Sequence, residues 1–307
     1  MPASSSSPLP PVVLLFGPTA SGKTSVSLEL AHRWNGEVIN ADSRQIYKYM
    51  PIIAACPSAE EYAQATHHMF EFLDPAERFS AGAWRDAAVV QIEELLARGK
   101  TPILVGGTGF YLRTLQQGMG GVPVVPQSAE EPFANIPAPQ LHAQLAKVDP
   151  ELAATLHPND TQRITRALAV QAHTGRPLSA WQQDQDAGNA PAPYRFITLA
   201  LSPPRDVLHA RIAARWEIMK QMGVLAETAA LMEKGYTPDM PGLTGLGIVE
   251  LMEQLQGKLT EAEARERILA KMRQYAKRQV TWLRHNYGAD FCAETGAELL
   301  DMVPLNL

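Results

Sequence analysis

The chain has 307 residues, 46% of them hydrophobic and 19% charged, with a formal net charge of −5 and two cysteines. That balance suits a globular protein with one large core, or a core and a smaller lobe, and it excludes a global attraction to nucleic acid. Cys56 and Cys292 lack metal-like spacing, so neither a disulfide framework nor a zinc site is expected, and any polyanion must be met by a local basic face.

The opening MPASSSSPLPP has no basic start and no long apolar run, and VVLLF is far too short for a membrane span. A cytoplasmic protein with no membrane attachment is expected, with residues 1–10 as a disordered lead. Val12 to Phe16 then reads as a buried strand and Thr24 to Arg33 as a helix, with EVINA (37–41), FEFLD (70–74) and TPILVGG (101–107) as further strands and Ala83 to Arg98 as a helix. Strands alternating with helices predict a parallel sheet covered on both faces. Strand signals vanish between residues 118 and 192, where Leu141 to Lys147 and Thr161 to His173 read as helices behind a Gly/Pro-rich linker. YRFITLAL (194–201) returns to strand character, and long helical patterns follow over Leu208 to Lys234 and Glu261 to His285. The expected fold class is α/β: a P-loop NTPase-like parallel sheet flanked by helices, built from residues 11–117 and 193–307, with a small helical domain inserted at 118–192.

Gly17-Pro18-Thr19-Ala20-Ser21-Gly22-Lys23-Thr24 satisfies the eight-residue phosphate-loop pattern between a strand and a helix. Glycines let successive N–H groups converge on clustered negative charge at the positive end of the helix, Lys23 adds a point charge, and the Thr24 hydroxyl is a Mg²⁺ ligand candidate. The loop does not specify what the phosphates are attached to. An ATPase or GTPase normally carries an acid at the end of a later apolar strand, whereas PILVGGTGFY ends in Gly106-Gly107-Thr108. The carboxylate comes instead after the second strand, as Asp42. An Asp there is a helix cap or turn former on general grounds, and on the same sheet edge as the phosphate loop it is a candidate general base.

Helical rotation of about 100° per residue sorts the segment 265–287. Relative to Lys271, residues Ile268, Leu269, Met272, Tyr275, Ala276, Val280 and Leu283 fall within an arc of about 40° to 180°, and Lys271, Arg273, Lys277, Arg278, Arg284 and His285 fall on the rest. With Glu266 as its one acid, this stripe is a solvated helix face or a contact for phosphates.

GPTASGKT, ADSRQIYKYM, GGTGFYLRTL, HPNDTQRITRALAV and AKRQVTWLR resemble, in order and spacing, the tRNA dimethylallyltransferases, also called tRNA isopentenyltransferases. The resemblance implies that the phosphates belong to dimethylallyl diphosphate, that pyrophosphate leaves, and that the allyl group goes to N6 of the adenine on the 3′ side of the anticodon. It implies diphosphate binding by Gly17, Thr19, Ala20, Ser21, Gly22, Lys23 and Thr24, with Mg²⁺ on Thr24, and catalytic roles for Asp42, Thr108 and Arg215. Contacts to the tRNA anticodon stem-loop are implied for Asp42, Ser43, Arg44 and Gln45, for Gln162, Arg163, Ile164, Thr165 and Arg166 in the inserted domain, and for Lys277, Arg278, Gln279, Trp282 and Arg284. A monomer is expected. His67 and His68 match a family pair and are expected to be structural. The family's Asp-Ile-Gly-Thr-Ala-Lys run is replaced by Pro51 to Cys56, and GLTGLGIVEL keeps only Gly247 of a segment that normally carries Gly-Tyr. Rival expectations are an adenylate isopentenyltransferase acting on a free nucleotide, a small-molecule kinase using ATP, and an idle RNA-binding paralogue.

Overall fold

The computed structural model describes residues 9–119, 121–184, 192–245 and 247–307. Residues 1–8 of the expected disordered lead lie outside the described residues. Six parallel strands form one sheet in the order β3-β2-β4-β1-β5-β6: β1 (Pro11–Phe16), β2 (Gly36–Asn40), β3 (His67–His68), β4 (Thr101–Gly106), β5 (Arg195–Leu201) and β6 (Phe291–Ala293). The central strand β1 pairs with β4 through Val13 and Ile103 and with β5 through Val13 and Ile197. Its residues Val12 to Phe16 are buried, as a continuous apolar run in a sheet covered on both faces must be.

Helices α1 (Lys23–Arg33), α2 (Pro51–Ala54), α3 (Ala59–Gln64), α4 (Ala81–Ala97) and α5 (Gly109–Gln117) follow the early strands. After β5 come α10 (Arg205–Gln221), α11 (Val224–Glu233), α12 (Ile248–Leu255), α13 (Glu261–Asn286) and α14 (Gly296–Met302), the intervening α6 (Ala138–Val148), α7 (Pro150–Thr155), α8 (Thr161–Thr174) and α9 (Leu178–Gln183) belonging to the segment between the two halves of the sheet. Val26, Leu30 and Leu299 pack on one face of the sheet with Val13, Leu15 and Val38, while Ile212, Trp216, Leu251, Ile268 and Met272 make a second core among α10 to α13. Helix α13 starts on a capping box in which Thr260 and Glu263 satisfy each other's backbone N–H.

The described residues gather into two compact units, one running to Arg113 and resuming at Pro193, the other spanning Thr114–Ala192. The division falls inside α5, between Arg113 and Thr114, a few residues before the expected boundary. Leu141, Leu145, Ile164 and Leu168 form the core of the second unit, and the buried Asp149 accepts the N–H groups of Leu152 and Ser179.

Two expectations are corrected. FEFLD is not a strand: the paired residues lie earlier, at His67 and His68, and only Leu73 makes a bridge, to Tyr47. The backbone turns out of register because Met69 and Glu71 adopt positive φ, 63° and 49°. The helix expected over Leu208 to Lys234 is two helices, broken at Gly223, whose φ is 91°.

Strand ends position everything that follows. The Thr108 N–H donates to the Ala41 carbonyl (3.2 Å) and the Ala41 N–H to Val105 (2.8 Å), so the chain leaving β2 and the chain leaving β4 run side by side. A Cβ on Gly106 would lie 2.0 Å from the Ala41 carbonyl oxygen, a backbone atom that cannot turn aside. Gly106→Ala is therefore expected to cost about 3 kcal/mol or more of stability, read as a large drop in melting temperature; a variant melting like the parent would contradict the close approach of the two strand ends.

Candidate functional site

The turn after β1 combines a positive φ at Ala20 (66°) with one at Gly22 (95°), which aims the N–H groups of the loop and of the first turn of α1 inward. No side chain caps α1 and its first turn carries no acid, so the positive end of the helix is open to an anion. Gly17 has no room for a side chain, since a Cβ there would lie 2.6 Å from the Ser21 hydroxyl. That hydroxyl is buried and makes no hydrogen bond, a vacancy that a phosphate oxygen can fill. Lys23 folds back to donate to the Pro18 carbonyl (3.1 Å).

Thr19 to Thr24 line a cleft of about 360 Å³ that also takes in Asp42, Arg44, Arg215, Lys271, Tyr275 and Arg278. Burial lowers the Lys23 ammonium to about 8, with Asp42 opposing and Arg215 adding to the effect. Burial likewise pushes the Arg215 guanidinium down. Arg211, one turn before Arg215 on α10, donates to the Ser21 carbonyl at 3.1 Å. Sequence reasoning missed Arg211, although the four-residue spacing from Arg215 puts both on one helix face.

Asp42 is held by its neighbours at the end of β2. Its N–H donates to the Asn40 side-chain oxygen (2.8 Å), its Oδ1 accepts the Arg44 N–H (3.0 Å), and Asn40 is fixed in turn by donating to the carbonyls of Asp42 and Met69. Thr108 accepts the Ser43 N–H at 2.9 Å and donates to the Ser43 hydroxyl at 3.2 Å, joining the β2 and β4 ends in one polar cluster. Tyr275, which the helical arc assigns to the core, lines the cleft, with the Arg278 guanidinium 5.5 Å from its ring centre.

The residues expected to touch RNA divide. Arg44 and Arg278 line the cleft and Lys277 and Arg284 are exposed on α13, whereas Ser43 is committed to Thr108 and Gln45 donates to the Ala55 carbonyl at 2.6 Å. On α8, in the second unit, Gln162 and Arg163 are exposed, Thr165 and Arg166 half-buried, and the Ile164 side chain is buried in that unit's core. Gln279 is buried as well. It is only 4% exposed and both ends of its amide are used, the oxygen accepting the Thr19 N–H (2.8 Å) and the nitrogen donating to the Gly107 carbonyl (2.9 Å). Eight residues after Lys271, it lies at about 80° on the wheel, in the middle of the apolar arc, which was the available signal. Trp282 is a packing residue: its ring fills the space beside Gly109 and stands 5.3 Å from that of Phe16.

The altered segment is a folded one. Pro51 opens α2, and Glu227 accepts the N–H groups of Ile52 (2.8 Å) and Ile53 (3.0 Å). Burial, then Glu71, pushes the Cys56 thiol far above its usual range, so this position offers a neutral side chain. His68 bonds Glu37 at 2.7 Å, and Glu37 also pairs with Arg98. Among the described residues, no three His, Cys, Asp or Glu side chains converge to hold a metal unaided.

The family described as IPP transferase matches residues 45–286. The chain belongs to the IPP transferase family. It is 44% identical over 284 residues to the tRNA dimethylallyltransferase of Nitratidesulfovibrio vulgaris strain DP4, covering 91% of each chain. Among solved structures it resembles a tRNA isopentenylpyrophosphate transferase from Staphylococcus epidermidis, with TM-score 0.68, 31% identity and coverage of 95% of this chain and 97% of that one. A eukaryotic dimethylallyltransferase studied acting on tRNA matches with TM-score 0.80 and 29% identity, over 95% of this chain and 76% of the other.

Gln279 gives the site its sharpest test. Gln279→Leu keeps the volume and strands a buried N–H and a buried carbonyl, so a loss of roughly 1 to 3 kcal/mol of stability is expected together with weaker diphosphate binding by calorimetry. Unchanged affinity for the diphosphate would show that the loop holds its shape without α13.

Proposed function

We propose that this chain transfers a dimethylallyl group from dimethylallyl diphosphate to N6 of the adenine 3′ of the anticodon in tRNA, releasing pyrophosphate. The observation that carries the proposal is the placement of Asp42: a lone carboxylate beside a phosphate-holding loop, on a sheet edge whose β4 end supplies Thr108 and no acid. Family membership and the matched relatives support the same activity.

Gly17, Thr19, Ala20, Ser21, Gly22, Lys23 and Thr24 would cradle the diphosphate through N–H groups and the Lys23 charge, with Arg215 and Arg211 completing the neutralisation. The donor set fits Mg²⁺ as an ion shared with the substrate, since the Thr24 hydroxyl offers one neutral oxygen and a diphosphate several charged ones. Bound there, the ion would neutralise charge on the leaving group. As the bond between the allyl C1 and the diphosphate oxygen breaks, the electron pair leaves with pyrophosphate and N6 attacks C1. Adenine N6 has a conjugated, weakly nucleophilic lone pair and becomes acidic only as the new bond forms, so Asp42 accepts its proton at that stage, held in position by Asn40 and the Arg44 N–H. Thr108, bonded to Ser43, keeps the acid and the base pocket in register.

An acidic chain meets RNA through Arg44 and Arg278 at the cleft and Lys277 and Arg284 beside it. The adenine leaves its stack to reach the donor. Among the described residues no helix is long and apolar enough to cross a membrane. A cytoplasmic monomer is part of the proposal.

Asp42→Ala is expected to lower the single-turnover rate at least about a hundredfold while donor affinity stays near that of the parent, because the proton moves only in the transition state. A normal rate would remove Asp42 from the mechanism. Donor binding carries a pH signature. Lys23 sits at about 8 in the free protein and loses its charge as pH rises through that value, while the diphosphate favours the charged form. Affinity measured calorimetrically should weaken by up to about tenfold per pH unit above 8, and Lys23→Arg, which stays charged, should abolish the decline; a parent protein with flat affinity from about pH 7.5 to 9.5 would contradict it.

A further inference from the structure

One aromatic close in sequence to Thr108 stands exposed. Phe110, in the first turn of α5, is 52% exposed, while its neighbours Tyr111 and Leu112 are buried. Its backbone is fixed. The Tyr111 N–H donates to the Thr108 carbonyl at 2.9 Å, the Tyr111 ring stacks on Trp84 at 4.6 Å, and the Trp84 indole N–H donates to the Asn40 carbonyl at 2.9 Å. On the other side Gly109 lies against Trp282, where a Cβ would come within 2.1 Å of the indole. A large apolar ring is thus held out to solvent on a rigid mount, two residues from Thr108.

The charge around it identifies what it meets. Trp282 stands one turn after Arg278 on α13, so the ring that braces Gly109 and the guanidinium that lines the cleft share a helix face. Lys277 and Arg278 are exposed there. An apolar partner protein would gain little from a phenyl that follows the glycine braced by this cationic helix, whereas single-stranded nucleic acid offers both a phosphate for each cation and a π-face for the ring. We infer that Phe110 is a stacking platform for an unpaired nucleobase next to the acceptor adenine in the anticodon loop, clamping the strand while the adenine turns into the cleft. The inference rests on RNA being the acceptor. Stacking tolerates any base, so Phe110 contributes to affinity and placement and leaves sequence choice to other groups.

The test uses the full chain and an anticodon stem-loop carrying 2-aminopurine on either side of the acceptor adenine. The parent protein should quench one of the two reporters on binding. Phe110→Ala and Phe110→Leu should both lose the quench and weaken stem-loop affinity roughly tenfold, Phe110→Trp should retain both, and the salt slope should stay that of the parent because no phosphate contact is lost. Donor affinity and melting temperature should be unchanged in all three. Leucine behaving like phenylalanine would overturn the platform, as would quenching that survives Phe110→Ala. A parent protein that quenches the reporter and yet transfers no allyl group would uphold the platform and defeat the proposed reaction.

Discussion

A single buried amide ties the site together. Gln279 on α13 accepts from the Thr19 N–H on one side and donates to the Gly107 carbonyl on the other, so the phosphate-holding loop after β1, the end of β4 and the longest helix are fixed to one another by two hydrogen bonds. An amide suits this place, because its oxygen accepts while its nitrogen donates. Its consequences run outward. With Gly107 fixed, Thr108 meets Ser43, Asp42 is set by Asn40, and the face of α13 that carries Tyr275 and Arg278 turns toward the same cleft. The glycines at 106, 107 and 109 belong to the same constraint, since a Cβ at each would collide with the Ala41 backbone, the Gln279 amide and the Trp282 ring respectively.

The cations of the cleft are sorted by what holds them. Lys23, Arg211 and Arg215 gather around the loop, where burial lowers Lys23 to about 8 and leaves it charged at neutral pH. Lys271 at the other side is paired with the buried carboxylate of Glu250, whose second oxygen makes no hydrogen bond. A buried acid of this kind is costly unless its partner stays in place, which gives Lys271 a fixed address at the cleft wall. A chain of net charge −5 can in this way present two separate positive surfaces, one for a diphosphate and one for a polynucleotide, without being basic overall.

Much of the fold was legible in the sequence. The apolar runs at β1, β4 and β5 are continuous because those strands are covered on both faces, and the glycine loop announces the turn between β1 and α1. Asp42 and Thr108 stand near one another because the ends of parallel strands share an edge, and Lys23 and Arg215 line the same cleft as Asp42. What sequence could not supply was side-chain occupation. Gln279 and Ile164 sit in segments rich in contact residues, and only their positions on the apolar arcs of α13 and α8 separate them from neighbours such as Lys277 and Arg163. FEFLD looked like a strand because its composition is right, but Met69 and Glu71 adopt left-handed backbone conformations that composition does not reveal. Tyr275 was read as core because the arc cannot distinguish a buried face from a cleft wall.

The central claim concerns what moves and where it lands. Incubating the protein with dimethylallyl diphosphate labelled in the allyl group, with an anticodon stem-loop and AMP both present, and then digesting the RNA for mass spectrometry of its nucleosides, tests it directly. The label should appear on N6 of the adenine 3′ of the anticodon, with one pyrophosphate released per label and AMP essentially unmodified. Label carried chiefly by AMP, or phosphate transfer from ATP with no allyl transfer at all, would contradict the account.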